Sequence, residues 1–397
     1  MHVLFLGNGF DLYHGLKTSY KDFLLILQNI TEFNNAISRF IDNKNTQDND
    51  SHIFDEIFLD ESIEGSSAHK IYELLKDNSW ANYYANCNAD IQGWIDFENE
   101  MLPAIKLMKE VFCKDVRMVW CTEDDWEASI SFDSYKERAM MLLWPEFFDE
   151  RDEYSFLIRN SYFDANYGIL KAKIIKKMED DLDDFITAFT LYLKEFVERR
   201  NIEKYKWIND INPNRIISFN YTSTERNYFE KISDSSCSHI HGSTFYKNIV
   251  FGTDLIDDDD SDFVNFSKRF QRLFKVGDCS YLDYLTESDD FASITDANHY
   301  ESLTVSFIGC SLDKNDSSIF RSYIEKADKI NVYCYGFSGY KSAMGNLINI
   351  FGHDKIRDYL HCNENGVKLN FIDIKNLSIN DDTTIICARE YYKDSNK

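Results

Sequence analysis

The sequence has few of the residues that mark linkers, disulfide frameworks or membrane spans. Only three prolines, Pro103, Pro145 and Pro213, occur in 397 residues, so no proline-rich linker separates domains. The nine cysteines are scattered and form no C-x-x-C pair, which predicts reduced thiols in a cytoplasmic protein rather than a zinc ribbon. The first apolar run has four residues, and none approaches the roughly 20 of a membrane span. We therefore expect neither a signal peptide nor a membrane partner.

Basic residues are also in deficit. The 43 Lys and Arg residues stand against 68 Asp and Glu residues, which leaves a net charge of -25. Such a surface repels a phosphate backbone, so no nucleic-acid partner is expected. The most basic segment, residues 267–275, is interpreted as a solvated helix face. A hydrophobic content of 44% predicts a sizeable core, enough for two domains or for one large domain with an insertion.

The first 27 residues combine a short apolar run with a glycine-containing turn. Residues 3–6 are typical of a buried strand, and the turn GNGFD follows at residues 7–11. A helix is predicted to begin at Ser19, because Asp22 three residues later gives a weak capping-box pattern. Glycines ahead of a helix allow backbone N–H groups to approach a phosphate. A tight turn without a ligand remains the alternative, since the G-x-x-G completion of a dehydrogenase fingerprint is absent.

Strands and helices alternate at both ends of the chain but not in its middle. Strands are predicted at 215–219, 238–240, 303–308, 329–335 and 368–374, with helices at 223–232 and 341–351. This alternation predicts a doubly wound, mostly parallel sheet in an α/β domain made of 1–27 and 206–397. Helical patterning is seen at 68–77, 94–112, 133–147 and 172–200. Residues 28–205 are therefore expected to form a helical insertion or cap, with the aromatic stripe of 172–200 as its core.

Four predicted strands are followed by turns with small or polar residues, and ligands of parallel sheets bind at that edge. His241 in one of these turns is either a catalytic base or a histidine that only bonds a backbone carbonyl. His14 near the first turn faces either a ligand or solvent. Cys237, His239 and His241 alternate, so a strand would place them on one face. Zinc needs ligands from more than one element, and none is evident, so no metal site is predicted.

The stretch GNGFDLYHGLKTSYKDF at residues 7–23 resembles the opening signature of the AbiH family of bacteriophage abortive-infection proteins. The resemblance implies a role in anti-phage defence. The W-x-D-x-E pattern at 94–98 also resembles part of the AbiH pattern. Asp96 and Glu98 are open to two interpretations, a carboxylate over the ligand site or a solvated helix face.

The order of the four turns resembles the sirtuin-like fold, a Rossmann-type arrangement that binds NAD. The resemblance implies that His241 and Asn220 are catalytic. It implies that the dinucleotide is bound by Gly7, Asn8, Gly9, Phe10, Asp11, His14, Tyr221, Gly242, Gly309 and Ser311. The sequence departs from sirtuins by lacking a four-cysteine zinc module, by Asp11 in place of Ser, and by Tyr221 after the Asn.

These observations favour a cytoplasmic effector that hydrolyses NAD⁺ to nicotinamide and ADP-ribose, through an oxocarbenium-like ribose and a histidine base. The alternative is a nucleotide-binding sensor or toxin module that acts through a partner without hydrolysis. The candidate partners are NAD⁺ or a related nucleotide, a phage-derived trigger or partner defence protein, and a second copy of the chain. A nuclease is disfavoured by the acidity of the chain and by the lack of clustered metal-binding carboxylates.

Overall fold

The structure is a computed structural model. It describes residues 1–31, 65–86, 97–122, 125–131, 141, 144–152, 155–164, 168–253, 262–276, 302–363 and 366–383. The chain forms two compact units. The first contains Met1–Lys17, Arg200–Ile249 and Lys275–Lys397, and the second contains Thr18–Arg199 and Val250–Phe274. The expected boundaries at 27/28 and 205/206 differ from this division, most clearly because the helix after the first turn packs within the second unit.

The helices and strands follow in chain order. The described strands are β1 (His2–Leu6), β2 (Arg117–Thr122), β3 (Asp125–Ser131), β4 (Phe148–Asp152), β5 (Ser155–Ile158), β6 (Phe163–Asp164), β7 (Gly168–Ile169), β8 (Arg215–Ser218), β9 (Cys237–His239), β10 (Thr304–Ile308), β11 (Lys329–Cys334), β12 (Cys362–Asn363), β13 (Gly366–Val367) and β14 (Leu369–Asp373). The described α-helices are α1 (Asn8–Tyr13), α2 (Tyr20–Gln28), α3 (Gly65–Leu75), α4 (Ser79–Asn86), α5 (Phe97–Phe112), α6 (Lys171–Tyr192), α7 (Lys206–Asn209), α8 (Lys268–Gln271), α9 (Ser317–Lys326), α10 (Gly336–Phe351) and α11 (His353–Leu360). None of the described helices is long and apolar enough to cross a membrane.

The first unit is built on a parallel sheet of six strands in the order β14-β11-β10-β1-β8-β9. Read from β9 and numbered along the chain, the strands run 3-2-1-4-5-6. The order therefore reverses between β1 and β10, which is the switch point of the sheet. The prediction of an α/β protein with a parallel sheet is confirmed.

Side chains of the central strand β1 alternate between two hydrophobic cores. Val3 and Phe5 belong to one core, together with residues of α9, α10 and α11. Leu4 and Leu6 belong to the other, together with Trp207 of α7. These four of the five β1 side chains are fully buried. The sheet is therefore covered on both faces, as parallel sheets generally are.

The turns after β1 and β10 pack backbone against backbone. Gly7 N–H donates to the Ile308 carbonyl and Gly9 N–H to the Gly309 carbonyl, both at 3.0 Å. Gly309 has a φ of +66°, and a Cβ atom there would lie 2.0 Å from the backbone nitrogen of Phe10. Cβ atoms on Gly7 and Gly9 would lie 2.6 and 2.7 Å from the backbone of Gly309. Only glycines allow this approach.

The helix boundaries near the chain start are partly as predicted. Ser19 caps α2, since its hydroxyl accepts from Asp22 N–H while its own N–H donates to the Asp22 carboxylate. The turn predicted at 7–11 is instead the start of α1. The helix predicted at 223–232 is wrong, because only Thr224–Asn227 forms one 3-10 turn. There the Asn227 side chain donates to the Thr224 carbonyl and competes with backbone pairing.

The second unit combines helices with a four-stranded antiparallel sheet in the order β2-β3-β5-β4. The prediction that 28–205 is helical throughout is therefore wrong. Strand β4 shows the reason, because Phe148 is buried and four exposed residues follow it without the alternation that marks a strand. Most of the predicted helix at 133–147 and residues 94–96 lie outside the described residues, as does the Glu98 side chain.

Helix α6 provides much of the core of the second unit. Phe189 packs on Phe23 of α2, with ring centroids 5.0 Å apart, which confirms the aromatic stripe as core. Asp181 of α6 is buried and accepts from Ser79 N–H at 3.0 Å and from Lys177 Nζ at 2.7 Å. This carboxylate joins α6 to the start of α4.

We expect Gly309→Ala to lower the free energy of unfolding by at least about 2 kcal/mol, because alanine is strained in the left-handed region and its Cβ overlaps Phe10. Urea unfolding followed by circular dichroism measures the loss. Gly345→Ala is the matched control, since nothing lies within 4 Å of that Cβ position in α10. The control should stay unchanged or gain about 0.5–1 kcal/mol. Equal midpoints for the two variants would contradict the packing role of Gly309.

Candidate functional site

The turns singled out from the sequence follow four neighbouring strands. Strands β10, β1, β8 and β9 are adjacent and parallel, so their carboxyl ends lie along one edge of the sheet. Gly309 and Ser311 follow β10, residues 7–11 follow β1, Asn220 and Tyr221 follow β8, and His241 and Gly242 follow β9. The topology thus brings all four predicted turns to the edge where parallel sheets bind ligands.

The glycine turn uses its N–H groups within the protein. Besides the bonds of Gly7 and Gly9, the Phe10 N–H donates to the Gly7 carbonyl at 2.8 Å. A phosphate cradle needs N–H groups that are free to meet an anion. Asn8 is exposed, but the close approach of Gly309 explains both glycines of the turn without a ligand.

Asp11 joins α1 to the turn after β8. Its side chain is buried, and the Thr222 hydroxyl donates to Asp11 Oδ2 at 2.5 Å. The Thr224 hydroxyl donates in turn to Thr222 Oγ1 at 3.2 Å. The carboxylate lies in the first turn of α1, where the helix dipole stabilises negative charge. This arrangement suits Asp11 to hold the β8 turn in place.

Both ring nitrogens of His14 are bonded within the first unit. Nδ1 donates to the Phe10 carbonyl at 2.7 Å, and Nε2 lies 2.6 Å from the Tyr228 hydroxyl. Burial lowers the pKa of His14, and the Phe10 hydrogen bond offsets only part of this effect. Burial also raises the pKa of Tyr228 to about 12. In the neutral ring Nε2 accepts from the Tyr228 hydroxyl, whose single proton also points toward the Glu203 carbonyl at 3.0 Å. His14 is a packed residue rather than a loop histidine.

Asn220 and His241 carry buried polar atoms that no described group bonds. The two residues are 5% and 6% exposed, and neither Asn220 Oδ1 nor His241 Nδ1 has a hydrogen-bond partner among the described residues. A buried polar atom without a partner costs about 1–3 kcal/mol, so such atoms mark places where a ligand or water binds. The two predicted residues follow the neighbouring strands β8 and β9 at one edge of the sheet, and no described group bonds these two atoms.

A carboxylate that the sequence analysis missed lies beside His241. Asp316, in the 3-10 turn before α9, places Oδ1 3.7 Å from His241 Nε2. The ring of His241 also packs near Phe219 and Tyr221, with centroid distances of 5.9 and 6.3 Å. Asp316 and His241 follow different strands, so no spacing in the sequence connects them. With a carboxylate near Nε2 and no described partner at Nδ1, the His241 ring is suited to proton transfer.

The remaining predicted binding residues lie along the same edge with structural contacts of their own. The Tyr221 carbonyl accepts from Thr244 N–H at 2.8 Å. Gly242 has a φ of +71°, and a Cβ there would lie 2.1 Å from the Asn248 carbonyl oxygen. Ser311 is exposed, and its carbonyl accepts from an asparagine of α10 at 2.8 Å. Gly242 is therefore required for close packing, whereas the hydroxyl of Ser311 is at the surface.

A second polar cluster lies at the edge strand β9. His239 Nε2 is 3.2 Å from Glu225 Oε1, and both side chains are 3% exposed. His239 Nδ1 lies 3.1 Å from the Asn220 carbonyl. Burial alone lowers the pKa of His239, but its contacts with Cys237 and Glu225 and the charge of Glu225 outweigh burial and raise it to about 10. The sequence suggested Cys237 and His239 as neighbours but not Glu225, which comes from another element.

We expect His14→Gln to reduce the acid sensitivity of folding. The folded-state pKa of His14 lies below its usual value of 6.5, so its contribution to stability is full above pH 6.5 and is lost as the pH falls. The pKa of His239 is raised instead, so that residue contributes to the pH dependence of stability with the opposite sign. The measured quantity is therefore the difference in stability between variant and wild type at each pH. Urea midpoints at pH 7.5 and 5.5 give this difference. His353→Gln, at an exposed histidine, should keep the wild-type slope. An unchanged slope in His14→Gln would overturn the assignment of a neutral buried ring.

Comparison with known proteins identifies the family of this chain. The family model described as "Bacteriophage abortive infection AbiH" matches residues 3–335, which include segments of both units. No curated protein matches the chain, and no solved structure matches it. The likeness seen at residues 7–23 is therefore confirmed by a match over most of the chain. The protein belongs to the AbiH family of bacteriophage abortive-infection proteins.

Proposed function

We propose that this protein is an abortive-infection effector that hydrolyses NAD⁺ at the carboxyl edge of its parallel sheet. Membership of the AbiH family supports the defence role. The observation that carries the enzymatic part is the pair of buried atoms without described partners, Asn220 Oδ1 and His241 Nδ1. NAD⁺ and its hydrolysis are inferred from that site together with the sirtuin-like order of turns.

The strand order supports a dinucleotide as the ligand. The order 3-2-1-4-5-6 is that of Rossmann-type sheets, which bind dinucleotides at the carboxyl edge near the switch point. Here the backbone of Gly309 fills the space beside Gly9. We therefore assign the nicotinamide and its ribose to the β8 and β9 side, at Asn220 and His241. The adenosine half is assigned to the β10 side, at Ser311.

The proposed reaction uses the open atoms of the two side chains. With substrate bound, Asp316 Oδ1 moves closer than its present 3.7 Å to His241 Nε2 and accepts a hydrogen bond from Nε2–H, which leaves the Nδ1 lone pair free to act as a base. The bond between nicotinamide and ribose C1′ breaks, and nicotinamide leaves with the bonding electrons. A water oxygen then bonds to C1′ and gives its proton to His241 Nδ1. Asn220 Oδ1 accepts from a ribose hydroxyl and stabilises the developing positive charge.

A nucleotide sensor without turnover is the second candidate, and two observations favour it. The N–H groups of Gly7, Gly9 and Phe10 are already bonded within the protein, so the usual pyrophosphate contact is missing from this turn. The gap of 3.7 Å between Asp316 and His241 is also longer than a hydrogen bond. A ligand bound at Asn220 and His241 could then signal through a partner while staying intact.

We expect purified protein to release nicotinamide from NAD⁺, and Asn220→Ala or His241→Ala to lower the rate by roughly 100-fold or more, since each removes a group used in the transition state. Chromatography of the products measures the release. Asp316→Asn should cause a smaller loss, because it acts through His241. His353→Ala, at an exposed histidine, is the control and should keep full activity.

The remaining outcomes separate the two candidates. NAD⁺ binding by calorimetry that disappears in both alanine variants, without release of nicotinamide, would support the sensor. Release that persists in both variants would move the reaction to another site. Cellular NAD⁺ that stays constant through an effective defence response would exclude hydrolysis as the mechanism, including hydrolysis that starts only after infection.

A further inference from the structure

Three side chains of different chemistry converge beside the edge strand β9. Cys237 and His239 alternate along the strand and lie on one face of it. Glu225 comes from the 3-10 turn after β8. His239 Nε2 is 3.2 Å from Glu225 Oε1, and Cys237 Sγ lies 3.9 Å from His239 Nε2 and 4.0 Å from Glu225 Oε1. One nitrogen, one oxygen and one sulfur thus form a compact triangle.

The size of this triangle fits a tetrahedral transition-metal ion. Zinc binds nitrogen and oxygen at about 2.0–2.2 Å and sulfur at about 2.3 Å, so two ligand atoms in a tetrahedron lie about 3.3–3.6 Å apart. The three observed separations of 3.2, 3.9 and 4.0 Å are within a few tenths of an ångström of that range. Small rotations of Cys237 would close the difference.

The outer contacts orient the histidine as a ligand. His239 Nδ1 donates to the Asn220 carbonyl at 3.1 Å, so Nε2 is the nitrogen directed at the triangle, where it can carry a proton or bind a metal. Metal-binding histidines are usually fixed by this kind of bond from the second nitrogen to a carbonyl or carboxylate. Without a cation, the Nε2 lone pair and the Glu225 carboxylate would face each other at 3.2 Å, so a metal ion or a proton must lie between them.

We propose that Glu225, Cys237 and His239 bind a divalent transition-metal ion, with zinc as the best match. A thiolate with an imidazole favours zinc over magnesium or calcium, which prefer oxygen ligands. Three protein ligands leave the fourth position for water, and Cys237 is only half-buried, so solvent can reach it. The inference does not depend on NAD⁺ hydrolysis, because none of these side chains is assigned to that reaction.

Bound metal would stiffen the turn that carries Asn220. The link runs from the metal through the His239 ring to the Asn220 carbonyl, while the side chain of Asn220 stays available. The sequence alone predicts no metal site, because no short stretch shows a ligand from a second element. Glu225 is that ligand, and it approaches β9 only because β8 and β9 are neighbours in the sheet.

The test is cobalt(II) binding by the full-length protein after removal of metal with a chelator. Thiolate coordination gives an intense near-ultraviolet charge-transfer band, so wild type should bind one equivalent and show this band. Cys237→Ser should abolish it, whereas Cys113→Ser, at an exposed cysteine outside the triangle, should keep it. Glu225→Gln should retain the thiolate but weaken cobalt and zinc binding by roughly tenfold or more. Circular dichroism confirms that each variant is folded.

Two results would overturn the proposal. The first is the absence of a stoichiometric thiolate band in wild type at excess cobalt, which would assign the triangle to a proton shared by His239 and Glu225. The second is a band of equal intensity in Cys237→Ser, which would place the metal at another cysteine. If Cys237→Ser does not fold, unchanged affinity in Glu225→Gln is sufficient to reject the site.

Discussion

The contact between the Gly9 and Gly309 backbones is the constraint on which the carboxyl edge depends. It sets where α1 begins and therefore where Asp11 lies. Asp11 then accepts from Thr222 and holds the turn that contains Asn220. The backbone contact at the switch point thus determines, through the buried Asp11 carboxylate, the position of the turn after the neighbouring strand β8. A side chain at position 309 would disturb residues that it does not touch.

This constraint explains the two glycines of the G-x-G turn by backbone packing. Glycine lets another group come close, and the sequence does not say whether that group is a phosphate or a second backbone. In this protein the second backbone takes the space, and the N–H groups of Gly7 and Gly9 donate to carbonyls at the end of β10 and in the turn that follows it. The open polar atoms lie instead after β8 and β9, at Asn220 and His241. The ligand contacts proposed for this edge are therefore made by side chains more than by the glycine turn.

What could be read from the sequence was local. The buried strands β1, β10 and β11 are short apolar runs that end at glycine or polar residues, and the cap at Ser19 needs only a neighbour three residues away. The sheet at 117–158 was not predicted, because its exposed charged residues hide the alternation of apolar and polar residues that marks a strand. Asp316 and Glu225 escaped for another reason. Glu225 meets His239 because β8 and β9 are neighbours, whereas Asp316 and His241 follow β10 and β9, which β1 and β8 separate in the sheet. Neither contact is encoded in a short stretch of sequence.

Asn220 contributes different atoms to the two polar clusters. Its backbone carbonyl accepts from His239, whereas its side-chain oxygen has no described partner and is assigned to the proposed NAD⁺ site. Replacing the side chain leaves the carbonyl in place, so it alters one cluster and spares the other. Replacing one of the three residues of the triangle has the opposite effect. It would weaken the support of the turn that carries Asn220 but leave the Asn220 carboxamide in place. Because the Asn220 carbonyl contacts the proposed metal site and its side chain lines the proposed NAD⁺ site, separate variants can test loss of catalysis and loss of metal binding.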